Sequence, residues 1–352
     1  MNLDDLEKFE SIDSHGMLAD IDGLPDQLLA AWNRGQEWDL PDASDVDRVV
    51  VAGMGGSAIG ADLLSAYVAP IARVPVIVWR NYDLPAYVQG PDTLVIGSSH
   101  SGNTEETLSA FQQGIERGAN LMAVTTGGAL ADLADEHGAG LWTFRHDGQP
   151  RAGVGYSFGL LLALLSRLGL IETQEAAVKD AVEEMKSQRK KLNAEVPVTQ
   201  NPAKRMAGQL IDRWPTIIGA EFLAPVARRW RTQISELAKA VAQFEELPEA
   251  DHNMVAGVEA PESAFGQTMV VLLSAQGLDP RNVERTRITR ELLMVEGFNT
   301  DMVEAVGETR LAQQWTALHY GDYVSYYLAM AYEIDPTPVH AIEELKRRLK
   351  EE

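Results

Sequence analysis

The chain is 352 residues long and 45% hydrophobic, with a formal net charge of −22, no cysteine and seven histidines. That charge argues against nucleic acid and anionic membrane surfaces as partners, since both are bound through basic patches. The missing thiols exclude disulfides, thiolate nucleophiles and thiolate metal sites, while length and apolar content suffice for two cores of ordinary size.

No apolar run is long enough to span a bilayer, and the opening MNLDDLEKFESIDSHG is acidic where a secretion signal is basic and then apolar. A cytoplasmic protein is therefore expected. The histidines show no paired ligand spacing, so no metal is expected. Residues 1–45 read as an N-terminal arm with helical patterning at 23–32 and an acidic connection after it.

The first strong element is RVVVA at 48–52, followed by Gly53-Met54-Gly55-Gly56-Ser57-Ala58-Ile59-Gly60 and a helical run. Strand, glycine-rich loop, helix is the layout of a nucleotide or phosphate cradle. A dinucleotide site competes, because Gly53-x-Gly55 matches its opening and Ala58 is an allowed replacement for its third glycine. Against it, the next strand ends in Arg80-Asn81-Tyr82-Asp83, a less convincing place for the acidic ribose ligand. Strands are predicted at 74–79, 94–97, 120–125 and 141–144, with helices at 105–117 and from 129. This alternation implies a doubly wound parallel sheet.

The loop after the strand at 94–97 is rich in hydroxyls: Ser99, Ser101 and Thr104 surround Gly102 directly before a helix start. Asn103 with Glu106 three residues on predicts an N-cap whose partner carboxylate reaches back. One cap needs one such side chain. Three hydroxyls and a glycine beside free helix N–H groups fit an anion, most simply a phosphate. An acidic protein must hold a phosphate with helix N-termini and a few placed cations.

Gln149-Pro150-Arg151-Ala152-Gly153 precedes a long apolar helix at 157–168, and a charged helical stretch fills 172–195. Two prolines within 195–202 mark a link, dividing the chain into a first domain at 46–195 and a second at 196–352. The second contains predicted strands at 214–219, 268–274 and 303–306, and helices at 281–296, 309–332 and 338–352. The helix that carries Arg228, Arg229 and Arg231 also places Glu236 and Lys239 on one face, and Pro248 ends the following segment before Asp251-His252-Asn253.

Taken together, Ser-x-Ser-Gly-x-Thr at 99–104 resembles the phosphate loop of sugar isomerase (SIS) domains. Thr232-Gln233-x-x-Glu236-x-x-Lys239 followed by Leu247-Pro248-Glu249 and His252-Asn253 resembles the active-site segment of the bifunctional phosphoglucose/phosphomannose isomerase family. The resemblance extends from Gly53 through Pro150-Arg151 to the closing Ile-Glu-Glu-Leu-Lys346. It departs at Ser235 and Leu237, where the family more often has Asn, which affects the polar surroundings of Glu236.

The resemblance implies an α/β protein of two SIS-type, flavodoxin-like domains, each a parallel sheet flanked by helices, with no cofactor. It implies that Gly55, Gly56 and Ser57 with Ser99, Ser101 and Thr104 bind a phosphosugar. Glu236 would be the base, His252 the ring-opening group, Arg151 the stabiliser of an enediolate, and Lys346 a further active-site residue. The implied reaction interconverts glucose 6-phosphate, and mannose 6-phosphate, with fructose 6-phosphate through a cis-enediol. The implied assembly is a homodimer with shared active sites. A non-catalytic SIS-type phosphosugar-binding regulator and an amino-sugar phosphate isomerase remain as alternatives.

Overall fold

The computed structural model describes residues 2–43, 45–349 and 351. Three helices open the chain: α1 (Leu6–Ile12), α2 (Met17–Asp22) and α3 (Leu24–Glu37). The first sheet then forms from β1 (Arg48–Ala52), β2 (Val76–Trp79), β3 (Thr93–Ser99), β4 (Asn120–Thr125) and β5 (Gly140–Thr143). Its helices are α4 (Gly55–Val68), α5 (Glu105–Glu116), α6 (Gly128–Glu136) and α7 (Val154–Arg167). All its pairings are parallel, in the order β2-β1-β3-β4-β5. This is the doubly wound, flavodoxin-like order, whose ligand crevice opens between the first and third strands at their carboxyl ends. β3 is buried along its whole length, as expected of an apolar central strand covered on both faces.

Helices α8 (Glu175–Leu192) and α9 (Pro202–Leu210) lead to a second sheet of β6 (Trp214–Ala220), β7 (Gln243–Leu247), β8 (Thr268–Ser274) and β9 (Asn299–Glu304). Its order, β7-β6-β8-β9, repeats that of the first sheet one strand short, again all parallel. Around it lie α10 (Ala224–Leu237), the short α11 (Glu262–Phe265), α12 (Pro280–Val295), α13 (Arg310–Ala331) and α14 (His340–Leu349). The chain is thus α/β, with two parallel sheets each flanked by helices.

The edge strand β7 was not among the predicted elements. QFEEL has no continuous apolar run because the strand is only partly buried. β9 falls earlier than the stretch at 303–306 for a similar reason: only Val303 of its six residues is buried.

α13 is buried on nearly every side, including Trp315, His319, Asp322 and Tyr327, and packs against α8, α9 and α10. The first residues of the chain join this core. A Cβ on Gly35 would stand 2.5 Å from Ala163 Cβ, so α3 and α7 lie in close contact. The fully buried Lys204 donates to Asp4 Oδ1 (3.0 Å) and Ala194 O (2.8 Å) beneath the rings of Phe9 and Tyr327.

Candidate active site

The two glycine- and hydroxyl-bearing loops leave the carboxyl ends of neighbouring strands, β1 and β3, and therefore flank the crevice between them. They are joined directly, since the His100 N–H donates to the buried Ser57 Oγ (3.1 Å). Ser99 Oγ and Thr104 Oγ1 stand 2.9 Å apart. The exposed Ser101 accepts from the Asn103 N–H at 3.2 Å.

The expected Asn103 cap is not formed. α5 begins at Glu105 as predicted, but Thr104, not Asn103, holds the cap position, with no side-chain hydrogen bond to the helix. Asn103 instead donates to Ser101 O (3.0 Å) and accepts from the Ala129 N–H (3.1 Å), tying the loop to the start of α6. Gly102, at φ 68°, allows that closure, because a Cβ there would lie 1.7 Å from Gly127 O.

Gly56 carries the crevice toward Arg151. A Cβ on Gly56 would stand 2.5 Å from Pro150 O and 3.1 Å from Arg151 Cα, so only glycine lets the first turn of α4 meet the 3-10 turn Pro150–Gly153. Gly55, at φ 51°, turns the chain into that helix. Arg151 is buried at 4% exposure. Its Nη2 donates to Pro336 O (2.8 Å) and Thr337 O (2.6 Å), and its Nη1 lies 3.5 Å from Glu236 Oε2.

α10 serves Arg151 from two positions on one face. Glu236 approaches the guanidinium, and Arg229, two turns earlier (236 − 229 = 7), donates from Nη2 to Arg151 O at 3.1 Å. Arg229 is itself held bidentately by Asp322 of α13, at 3.0 and 2.7 Å. Breaking such a buried, hydrogen-bonded pair would strand a charge.

Lys239 departs from the helical face it was expected to share with Glu236. α10 ends at Leu237, and Lys239 is in the left-handed region at φ 54°. Its ammonium therefore folds back to donate to backbone carbonyls, Glu236 O (2.6 Å) and Pro336 O (3.2 Å). The Glu236 carboxylate is left to Arg151. Glu236 and Lys239 line a cavity of about 660 Å³ with Arg231, Thr232, Ser235 and the first turn of α14.

His252 and Lys346 lie apart from this group in the single chain. His252 is exposed, in a 3-10 turn (Glu249–His252) fixed by Asp251, which pairs with Arg285 (2.9 Å) and accepts from Thr289 Oγ1 (2.7 Å). It is not among the residues lining the Glu236 cavity. Lys346 is exposed on α14, a helix with no buried residue whose Ile342, Leu345 and Leu349 are also exposed.

Two features of the site escaped the sequence reading. The carbonyls of Pro336 and Thr337 are backbone atoms, which no side-chain pattern reports. His100 Nε2 lies 2.9 Å from His146 Nδ1 beside Gly153. Burial, with His146 adjacent, pushes the His100 pKa down to about 4, so the hydroxyl loop gains no positive charge from it near neutrality. The position of His100 inside Ser-x-Ser-Gly-x-Thr was the available signal.

Residues 199–349 match the bacterial phospho-glucose isomerase C-terminal SIS domain. The chain is 41% identical to the bifunctional phosphoglucose/phosphomannose isomerase of Caldicellulosiruptor bescii over 339 residues, covering 95% of this chain and 99% of that one. It belongs to the bifunctional phosphoglucose/phosphomannose isomerase family. The family member from Aquifex aeolicus is 33% identical over 89% of this chain and 94% of its own. The same fold is found in a glucose-6-phosphate isomerase like protein from Thermus thermophilus, at a TM-score of 0.66 and 21% identity over 96% of this chain and 98% of that one. Among the described residues no helix is long and apolar enough to cross a membrane.

Proposed function

We propose that this isomerase interconverts glucose 6-phosphate and mannose 6-phosphate with fructose 6-phosphate through a cis-enediol, with Glu236 as the base. The contact between Arg151 and Glu236 carries this reading. A carboxylate that removes a proton from C2 and returns it at C1 needs no cofactor. A buried guanidinium beside it stabilises the oxyanion that develops on the neighbouring carbonyl. Family membership and the crevice formed by Gly55, Gly56, Ser57, Ser99, Ser101 and Thr104 support a phosphate as the remote handle, whose binding energy positions the reacting carbons.

The active form is proposed to be a homodimer in which a second copy presents His252 to the Glu236 cavity. Support comes from the exposure of His252 away from its own cavity and from the apolar side chains that α14 leaves uncovered. Lys346 on that helix is assigned to the same shared site. Mixing Glu236→Gln with His252→Ala under subunit exchange should then restore about a quarter of wild-type activity, since half the dimers are mixed and each has one intact site of two. Activity that stays at the level of the parents after confirmed exchange rejects the shared site. A cytoplasmic location is proposed to match a phosphorylated substrate and a chain without cysteine.

The test of the reaction is a proton NMR time course in D2O with fructose 6-phosphate. Growth of both aldose 6-phosphate anomeric signals supports both epimeric activities, and no signal with purified protein rejects the reading. A phosphosugar-binding regulator would bind the sugar and leave the spectrum unchanged.

A further inference from the structure

The segment Asp335-Pro336-Thr337-Pro338 links α13 to α14 and crosses directly over Arg151. Its shape is built in. Two prolines fix backbone torsions, and Asp335 Oδ1 accepts from the Thr337 N–H at 2.9 Å, closing a tight turn. Ser14 Oγ donates to Asp335 Oδ2 at 2.9 Å, holding the turn from the N-terminal side. The two carbonyls at its centre, Pro336 O and Thr337 O, are the acceptors on which Arg151 Nη2 rests.

One of those carbonyls is shared. Lys239 Nζ donates to Pro336 O at 3.2 Å while also donating to Glu236 O (2.6 Å) and Leu237 O (3.3 Å). A single ammonium thus ties the last turn of the Glu236 helix to the support of the Arg151 guanidinium. We infer that Lys239 is a positioning residue for the isomerase, fixing Arg151 against Glu236 through the Pro336 carbonyl without touching the reacting carbons. The inference rests on the assignment of Glu236 and Arg151 given above.

Three charged groups face Lys239: Arg151 from the 3-10 turn, Asp335 from the linking segment and Glu236 from its own helix. His15 approaches Asp335 from the N-terminal side at 3.9 Å. Although Lys239 is exposed as a residue, partial desolvation of its ammonium, then the nearby Arg151, pulls its pKa down to about 8, against the opposing effect of Asp335 and Glu236. The ammonium therefore loses its proton on the alkaline side of neutrality, and with the charge goes the strength of its grip on three carbonyls.

The experiment compares wild type with Lys239→Met, Lys239→Arg and Glu236→Gln in fructose 6-phosphate turnover across pH. Lys239→Met should lower kcat by about ten- to a hundredfold, the scale of misplacing a reacting group, with KM within about threefold of wild type. In wild type kcat should fall above a pH of about 8, and in Lys239→Arg, whose guanidinium stays charged, that fall should move to higher pH. A Lys239→Met kcat close to wild type overturns the inference, as does an effect confined to KM or an alkaline fall that is the same in wild type and Lys239→Arg. An active Glu236→Gln instead removes the base assignment itself, so failure of the inference and failure of the reading beneath it give different results. Lys239→Arg keeps the cation and so remains informative if Lys239→Met does not fold.

Discussion

Gly56 sits so close to Pro150 that a Cβ added to it would lie 2.5 Å from the Pro150 carbonyl oxygen. The first turn of α4 and the turn that carries Arg151 are therefore in backbone contact, and neither can shift alone. Gly56→Ala should push them apart. Overpacking of this kind costs roughly 1–3 kcal/mol, to be read as a lower urea midpoint at unchanged slope. Because Arg151 moves with Pro150, kcat should fall by about tenfold or more, over and above any loss of phosphate affinity from the displaced cradle. A variant with unaltered kcat would show that Arg151 and the cradle are independent.

The hydroxyl loop is tested by Ser101→Ala combined with Thr104→Val. Each lost charge-assisted hydrogen bond to a phosphate is worth roughly 1.5–3 kcal/mol, so KM for the phosphosugar should rise steeply. Inorganic phosphate should lose its inhibitory effect in parallel. Equal inhibition of wild type and double variant would reduce the loop to a helix start.

This loop was legible as a hydroxyl-rich turn between a buried strand and a helix because its side chains keep a fixed spacing after that strand. Arg151 and Glu236 were legible as residues but not as a pair, since they lie 85 positions apart (236 − 151 = 85), one on the turn after β5 and the other on α10. Lys239 was misdirected for a local reason: the expected helical face assumes that the helix continues, and a left-handed residue at 239 ends that periodicity. Asn103 was similarly placed one residue before the position that caps α5, which is Thr104. The acceptors Pro336 O and Thr337 O have no side-chain signature, and only the fold brings them to Arg151.

Acid sensitivity follows from His319, buried in α13 with its Nε2 2.9 Å from Ile21 O. Burial lowers its folded-state pKa from 6.5 to about 4. A depressed histidine is neutral in both states above the higher value. Between the two values the unfolded chain takes a proton that the folded chain refuses, so this stability is present above pH 6.5 and is lost as pH falls toward about 4. His319→Gln, which keeps a donor for Ile21 O, should reduce the loss by as much as about 3 kcal/mol. Urea melts at several pH values would check it, and equal acid loss in variant and wild type would contradict it.

The most direct test of the central claim is proton exchange at C2 in Glu236→Gln. The amide keeps the shape of the carboxylate but cannot accept a proton. Incubated in D2O with an aldose 6-phosphate, wild type should exchange the C2 proton with solvent. Glu236→Gln should show no exchange while inorganic phosphate or the substrate still protects it against thermal unfolding. Exchange at a near wild-type rate in that variant would contradict the account and remove Glu236 from the mechanism.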